Sequence, residues 1–321
     1  MIKMDRIAVL TSGGDSPGMN AAVRAVARTC MFNDKECIGV RRGYEGLIEG
    51  DFITLDRAAV GGIIHTGGTI LKTARSERFK TPEGREEAVN KMREAGIDGL
   101  VVIGGDGSFH GAKALHDLGF PTMGIPGTID NDITGTDETI GFDTAVNTAL
   151  EAIMKLRDTA SSHERLFVVE VMGRNAGFLA LEVAVATGAE YVVVPELPVS
   201  IGDLTKRLKS SYKEHRSHTL IILAEGVMTA AEMREQLQDS GGYDARVTVL
   251  GYIQRGGHPT SFDVVLATRM GAFATESLMI GKSGMMVGNI NHKLTLSPLE
   301  RAWSEHKSLS PEMLSLINKM N

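Results

Sequence analysis

Leu100-Val101-Val102-Ile103-Gly104-Gly105-Asp106-Gly107-Ser108 is the stretch that decides the fold. Four consecutive apolar residues leave no polar face, so the run reads as a strand buried on both sides, the mark of a parallel sheet covered by helices. Glycines turn the chain at its carboxyl end, and a helical stretch follows to about Leu118. The same design recurs. Ile7-Ala8-Val9-Leu10 ends in Thr11-Ser12-Gly13-Gly14-Asp15 before an alanine-rich helix from about Asn20 to Arg28. Pro121 to Ile125 ends in Pro126-Gly127-Thr128-Ile129-Asp130-Asn131-Asp132, and Phe167 to Val171 ends in Met172-Gly173-Arg174-Asn175. Tyr191 to Val194 runs into Pro195-Glu196, and Leu220 to Leu223 into Ala224-Glu225-Gly226. Alternating strands and helices imply an α/β fold with mainly parallel sheets, and polar turns at strand carboxyl ends are where such sheets bind ligands.

A chain of 321 residues exceeds what one core serves, so two domains are expected. One sheet ends near Gly141, another starts near Phe167, and a helix from Thr144 to Arg157 joins them. The net charge of -6 argues against nucleic acid or an anionic membrane as partner, so anionic ligands would be held by local arginines. Cys30 and Cys37 lack CxxC or metal-ligand spacing and read as reduced, buried thiols. Nothing approaches membrane-spanning length, and the expected location is the cytoplasm.

Two glycine-rich turns and one pair of carboxylates carry the chemistry. Thr11 to Asn20 and Gly104 to Ser108 are strand-to-helix turns whose free amides suit phosphate oxygens. Asp106 adds a carboxylate that could hold Mg²⁺ on nucleotide phosphates. Asp130 and Asp132 lie two residues apart; on an extended backbone their environments differ, so one can serve as base and the other orient metal or water. Alone, Asp130-Asn131-Asp132 would read as an Asx-rich turn; beside two phosphate-type loops it reads as part of a phosphoryl-transfer site. Arg75, Arg165, Arg174, Arg246 and Arg255 supply positive charge, Arg174 and Arg255 most pointedly because each adjoins glycine after an apolar run. Gly281-Lys282-Ser283 is not a Walker A loop, since Glu276 stands where glycine is required. His65, His110, His116, His215 and His292 show no ligand spacing.

In order, Ser12-Gly13-Gly14-Asp15, Gly67-Gly68-Thr69, Gly104 to Ser108, Pro126 to Asp132, Arg157-Asp158-Thr159, Met172-Gly173-Arg174 and Gln254-Arg255-Gly256-Gly257 resemble the bacterial ATP-dependent 6-phosphofructokinases, from Ile7 to about Gly288. The resemblance implies two Rossmann-like lobes with the active site between them: 1–141 plus 254–304 for ATP, 142–253 plus 305–321 for fructose 6-phosphate. It implies Mg²⁺, ATP and ADP as ligands, and a homotetramer whose active sites are shared between subunits. Gly14, Arg75, Ser76, Gly105, Asp106, Gly107 and Ser108 look like the ATP phosphate contacts, with Asp106 on the metal. Tyr44 matches the adenine-stacking position, and Gly111 lies against the nucleotide. Thr128, Ile129, Asp130, Met172, Gly173, Arg174, Glu225, Ile253, Gln254 and Arg255 look like sugar-phosphate contacts. Arg165 and Arg246 resemble the pair supplied by a neighbouring subunit. Asp130 is similar to the catalytic base, Arg75 and Arg174 to the transition-state cations, and Asp132 to the group that orders metal-bound water. Arg24, Arg28, Arg57, Arg157, Gly188, Glu190, Arg216 and His218 match an effector pocket where ADP activates and phosphoenolpyruvate inhibits.

The chain departs from that pattern in a few places. Tyr252 stands where the family usually has histidine beside the 6-phosphate. Gly62 replaces an aspartate, and Glu214 and Ser217 replace lysines, in the effector set, so attenuated regulation is expected. Gly107 and Gly127 favour ATP, because pyrophosphate-dependent relatives carry aspartate and lysine there. A non-catalytic nucleotide sensor would have lost Asp130 or Asp106, and a lipid or NAD kinase would not explain the arginine set.

Overall fold

The computed structural model describes residues 4–161, 166–213 and 219–320. Each apolar run named above forms a strand, because only a paired backbone satisfies its amides and carbonyls once the side chains on both faces are buried. In chain order the strands are β1 (Arg6–Thr11), β2 (Glu36–Val40), β3 (Phe52–Thr54), β4 (Gly99–Gly104), β5 (Thr122–Pro126) and β6 (Leu166–Val171). They continue as β7 (Tyr191–Val193), β8 (Thr219–Ala224), β9 (Arg246–Val249), β10 (Met285–Ile290) and β11 (Lys293–Pro298). The helices are α1 (Met19–Phe32), α2 (Gly43–Glu49), α3 (Pro82–Glu94), α4 (Asp106–Asp117), α5 (Phe142–Ser161) and α6 (Phe178–Thr187). After these come α7 (Ile201–Lys213), α8 (Ala230–Gly241), α9 (Ser261–Met279), α10 (Arg301–Ser304) and α11 (Pro311–Met320).

The chain divides into two compact units. The first comprises Met1–Ile129, Ile133–Thr144 and Arg255–Lys307; the second comprises Asp130–Asp132, Ala145–Gln254 and Ser308–Asn321. The first holds a seven-stranded sheet in the order β11-β10-β5-β4-β1-β2-β3. Its strands alternate cleanly between two cores. Ile7, Val9, Val101 and Ile103 pack with α1 and α9, while Ala8, Leu10, Leu100 and Val102 pack with Tyr44, Phe109 and Leu115. The interior strands are parallel, but β3 and β11 at the edges run antiparallel to their neighbours. Asn291 and His292, both at positive φ, make the two-residue turn that reverses β10 into β11, as a right-twisted hairpin requires.

The second unit holds a four-stranded, all-parallel sheet in the order β7-β8-β6-β9. Leu166, Val168, Ile221 and Leu223 on one face meet Leu204 and Leu208 of α7 and Met233 and Leu237 of α8. Helix α6 packs against both β8 and α11, which is why its sequence is apolar on nearly every side.

In the first sheet the connections reverse direction at β1. The chain leaves β1 for β2 on one side, then returns to β4 on the other. The two glycine turns therefore emerge from neighbouring strands at a topological switch point, joined where the Ser12 amide donates to the Ile103 carbonyl at 2.9 Å.

Asp263, fully buried in the first turn of α9, closes this unit at the segment where the chain leaves it. Its carboxylate accepts from the Gly141 amide at 2.8 Å, the Thr144 amide at 2.8 Å and the Thr144 hydroxyl at 2.5 Å. Burial pushes its pKa from an ordinary 3.8 up to about 6, against the opposing pull of those three donors. A carboxyl raised in the folded state binds more protons folded than unfolded. Its contribution is thus complete below pH 3.8 and lost as pH rises through about 6. Urea unfolding of the parent and Asp263→Asn between pH 4 and 7 is expected to show the parent losing up to about 3 kcal/mol relative to the variant. A constant difference across that range would mean the carboxyl titrates normally.

Candidate active site

In the first unit, the turn after β1 enters α1 through Gly18, whose φ of 103° only glycine adopts readily. No side chain caps this helix and no acidic residue sits in its first turn; the Met19 amide donates to the Ser16 carbonyl at 3.2 Å, which leaves the amides of Asn20 and Ala21 without a side-chain cap. Helix α4 begins the same way: Gly105 is the N-cap without a side-chain bond, and Asp106 is the first helical residue. Asp106 is half-buried and, among the described residues, makes no ion pair or side-chain hydrogen bond. The two turns touch. A side chain at Gly104 would strike Ser108 and the Ser12 carbonyl, and the Ser108 hydroxyl lies 3.4 Å from where a Cβ on Gly13 would stand. Gly107 opens onto free space, whereas a Cβ at Gly127 would lie 3.0 Å from Ile103. The Arg255 guanidinium packs directly on Gly14 in a space that any side chain there would fill.

Other residues expected at the nucleotide are placed as follows. Arg75 is exposed on the loop after Leu71. Ser76 uses its hydroxyl to accept from the Phe79 amide at 3.1 Å. Tyr44 is buried, stacked on Phe79 with centroids 4.1 Å apart, and donates its hydroxyl to the Ser108 carbonyl. Burial also drives its hydroxyl pKa up. The ring lies against Gly111, where a Cβ would come within 2.5 Å of it. Tyr44 is thus packed inside the first unit, between Phe79 and Gly111.

The second unit gathers the acid and the arginine. Asp130 is 3% exposed, and its Oδ2 stands 3.5 Å from Nε of Arg174. The expectation of an extended backbone here is corrected by the structure. Asn131 sits at φ 52°, a left-handed bend that separates buried Asp130 from half-buried Asp132. Arg174 is also left-handed at φ 51°. Its conformation is held by Glu225, whose Oε1 accepts from the Gly173 amide at 3.2 Å and the Arg174 amide at 2.9 Å. A cation and its backbone are therefore aimed by a carboxylate at the end of β8.

Gln254, expected to touch a ligand, is fully buried, with Oε1 accepting from the Met172 amide at 3.0 Å. It supports the turn rather than facing solvent. Ile129 and Met172 are buried, whereas Tyr252 (81% exposed) and Ile253 lie on the surface of a short 3-10 turn. Arg246 opens β9 and pairs with Asp244 at 3.1 Å. Thr128 accepts through its carbonyl from the Thr139 hydroxyl at 2.6 Å.

Of the effector set, Arg24 and Arg28 lie on α1 and Arg57 is exposed, all in the first unit. Arg157, Gly188 and Glu190 belong to the second. There Arg157 donates to the Thr187 carbonyl, Gly188 ends α6, and Glu190 accepts from the Leu220 amide at 2.7 Å. Arg165, Arg216 and His218, together with Glu214 and Ser217, lie outside the described residues. Sequence reasoning missed Asp263: an aspartate in the first turn of a helix signals an exposed cap, and nothing local marks it as buried.

A family model described as Phosphofructokinase matches residues 6–278. The ATP-dependent 6-phosphofructokinase of Halothermothrix orenii is 50% identical, over 98% of this chain and 99% of its own length. That of Halalkalibacterium halodurans is 51% identical, over 99% of this chain and 100% of its own. The structure of phosphofructokinase from Saccharomyces cerevisiae matches with a TM-score of 0.88 at 35% identity, covering 98% of this chain and 50% of the yeast chain.

Two glycines separate packing from open room. At Gly173, φ is 137° and a Cβ would meet the Ala176 carbonyl at 2.6 Å, so Gly173→Ala is expected to cost roughly 1–3 kcal/mol. Gly107 has neither obstacle, and Gly107→Ala is expected to gain roughly 0.5–1 kcal/mol as a helix substitution. Urea unfolding of both variants checks the opposite signs.

Proposed function

The chain belongs to the phosphofructokinase family, and from that premise we propose that it transfers the γ-phosphoryl group of ATP to the 1-hydroxyl of fructose 6-phosphate. The products are fructose 1,6-bisphosphate and ADP, and the reaction belongs to glycolysis. The observation that carries the reading is the pairing of buried Asp130 with a left-handed Arg174 whose backbone is fixed by Glu225.

On this reading the first unit binds the nucleotide and the second the sugar phosphate. Amides at the starts of α1 and α4, with Gly14, Gly105, Gly107 and Ser108, cradle the phosphates, and Arg75 adds charge. A hydroxyl attacking phosphorus must shed its proton, and Asp130 offers the carboxylate that accepts it. Arg174, 3.5 Å from Asp130, would meet negative charge on the transferring group, and the half-buried carboxylate of Asp132 would order water. Arg246, Arg255 and Tyr252, with Arg165, form the set proposed for the 6-phosphate. Arg246 would exchange Asp244 for it.

The residues at Asp106 fit a magnesium ion. That carboxylate has no competing partner among the described residues and sits beside unspent amides, and Mg²⁺ asks for only one or two carboxylates beside phosphates and water. Held there, Mg²⁺ would neutralise negative charge on the phosphates during transfer. The donor follows from two glycines. Gly127 faces Ile103 too closely for a lysine to extend without displacement, and open Gly107 leaves room beside the phosphates.

The fuller proposal is a cytoplasmic homotetramer; among the described residues no helix is long and apolar enough to cross a membrane. ADP and phosphoenolpyruvate would act weakly through the effector residues expected from the sequence, Arg24, Arg28, Arg57 and Arg157. At Gly62 there is no carboxylate to hold an effector's metal.

Asp130→Ser is expected to lower kcat by roughly 10²–10⁴-fold with a smaller change in KM for fructose 6-phosphate, read in a coupled assay. Near-parental turnover would remove Asp130 as the base. For Asp106→Ala, titrating Mg²⁺ at fixed ATP is expected to show a higher metal requirement. A titration superimposable on the parent's would reassign the metal carboxylate.

A further inference from the structure

The segment Thr139–Thr144 is the last of the first unit before the chain passes into the second, and it is bonded on three sides. On one side the Ser16 hydroxyl, in the turn after β1, donates to the Ile140 carbonyl at 2.9 Å. Gly141 packs so closely on Ser16 that a Cβ there would come within 2.6 Å of the serine Cβ. On a second side, the Ile140 amide donates to the Pro126 carbonyl at 3.0 Å, and the Thr139 hydroxyl to the Thr128 carbonyl at 2.6 Å. Thr128 is two residues before Asp130. The third side is Asp263, which accepts from Gly141 and twice from Thr144.

Asp263 is also held in place itself. Its amide donates to the Thr260 hydroxyl at 3.3 Å, and that hydroxyl donates to Asp143 at 2.6 Å. The Thr260 amide donates to the Thr144 hydroxyl at 3.0 Å. The outgoing chain at 141–144 and the returning chain at 260–263 are thereby tied into one buried knot. A buried carboxylate is costly unless its lone pairs are used, and here three donors use them. Packing alone would be served by an apolar residue. What the carboxylate adds is direction, since both of its oxygens fix where Gly141 and Thr144 lie.

We propose that Asp263 is a positioning residue. By fixing Thr139–Thr144 it keeps the phosphate-binding turn at Ser16 and the approach to Asp130 at Thr128 in mutual register. The kinetic consequence rests on the phosphoryl-transfer reading above; the structural coupling does not. A displacement of about 1 Å at a reacting group can cost ~10²-fold in rate, so a remote knot of this kind can set kcat.

The test uses the full chain with Asp263→Ala and the conservative Asp263→Asn, each assayed at a temperature where its urea curve shows it folded. Without any ligand, hydrogen exchange of Asp263→Ala is expected to rise in peptides covering 12–18 and 126–141. A rise confined to 141–144 and 260–263, or spread evenly over the chain, would overturn the coupling. With ATP and fructose 6-phosphate, folded Asp263→Ala is expected to lose roughly 10–10²-fold in kcat, with Asp263→Asn falling between it and the parent because one oxygen acceptor remains. Ser16→Ala combined with Asp263→Ala is expected to lose less than the product of the two single effects. Parental kcat in folded Asp263→Ala, or independent multiplication of the two losses, would overturn the positioning role. If the parent itself fails to turn over fructose 6-phosphate, the functional reading falls, and the exchange experiment still decides the coupling.

Discussion

Parallel strands buried on both faces must send every connection around the sheet, and this constraint governs the molecule. Side chains on both faces are committed to cores, so polar chemistry is pushed to the turns at the strand ends. Where neighbouring strands send their connections to opposite sides, polar turns from both strands come together at the strand ends. In the first unit that point lies between β1 and β4, the two strands followed by glycine-rich turns. In the second, Met172-Gly173-Arg174 follows β6 and Glu225 follows its neighbour β8, and the two turns are bonded directly. Each cluster of reactive groups is thus a product of sheet order before it is a product of any one side chain.

Holding charge at such turns requires backbone shapes that ordinary residues resist. Asn131 and Arg174 both adopt left-handed φ values, which cost a non-glycine residue of order 1 kcal/mol or more. The arginine's cost is offset by Glu225, a single oxygen serving two successive amides. An extended backbone at 130–132 would have sent the two aspartates along one line. The bend instead buries one and leaves the other partly in solvent, so two carboxylates two residues apart acquire different surroundings.

The strands that form the two cores were legible because burial on both faces leaves an unbroken apolar signature, as in Val101-Val102-Ile103 and Ile221-Ile222-Leu223. Edge elements carry no such mark. β3 is three residues long, β9 is half polar, and the β10–β11 hairpin turns on Asn291-His292, a pair without glycine. Helix lengths were understated for the same reason: α1 continues past Arg28 to Phe32, because its last turn ends at an exposed apolar residue that breaks the amphipathic pattern. The candidate site residues were legible as types at strand ends. Their supports were not, since Gln254 under Met172 and Asp263 under Gly141 are polar side chains whose burial depends on partners far away in sequence.

Glycines show where sequence reading stops and geometry begins. In the sequence, Gly104, Gly107 and Gly127 look alike, three small residues around two turns. In the fold, Gly104 is forced by Ser108 and the Ser12 carbonyl, and Gly127 is crowded by the side-chain ends of Ile103 and Met19. Gly107 is forced by nothing, since a side chain there would point into open space and its φ is not left-handed. A glycine in the first turn of a helix is less stable than alanine by roughly 0.5–1 kcal/mol, and at Gly107 packing gives nothing in return. What the missing side chain provides is empty room beside the unspent amides of α4, with Asp106 next to it. A bound phosphate group would use that room, and of these three glycines Gly107 is the one the protein's own packing does not explain.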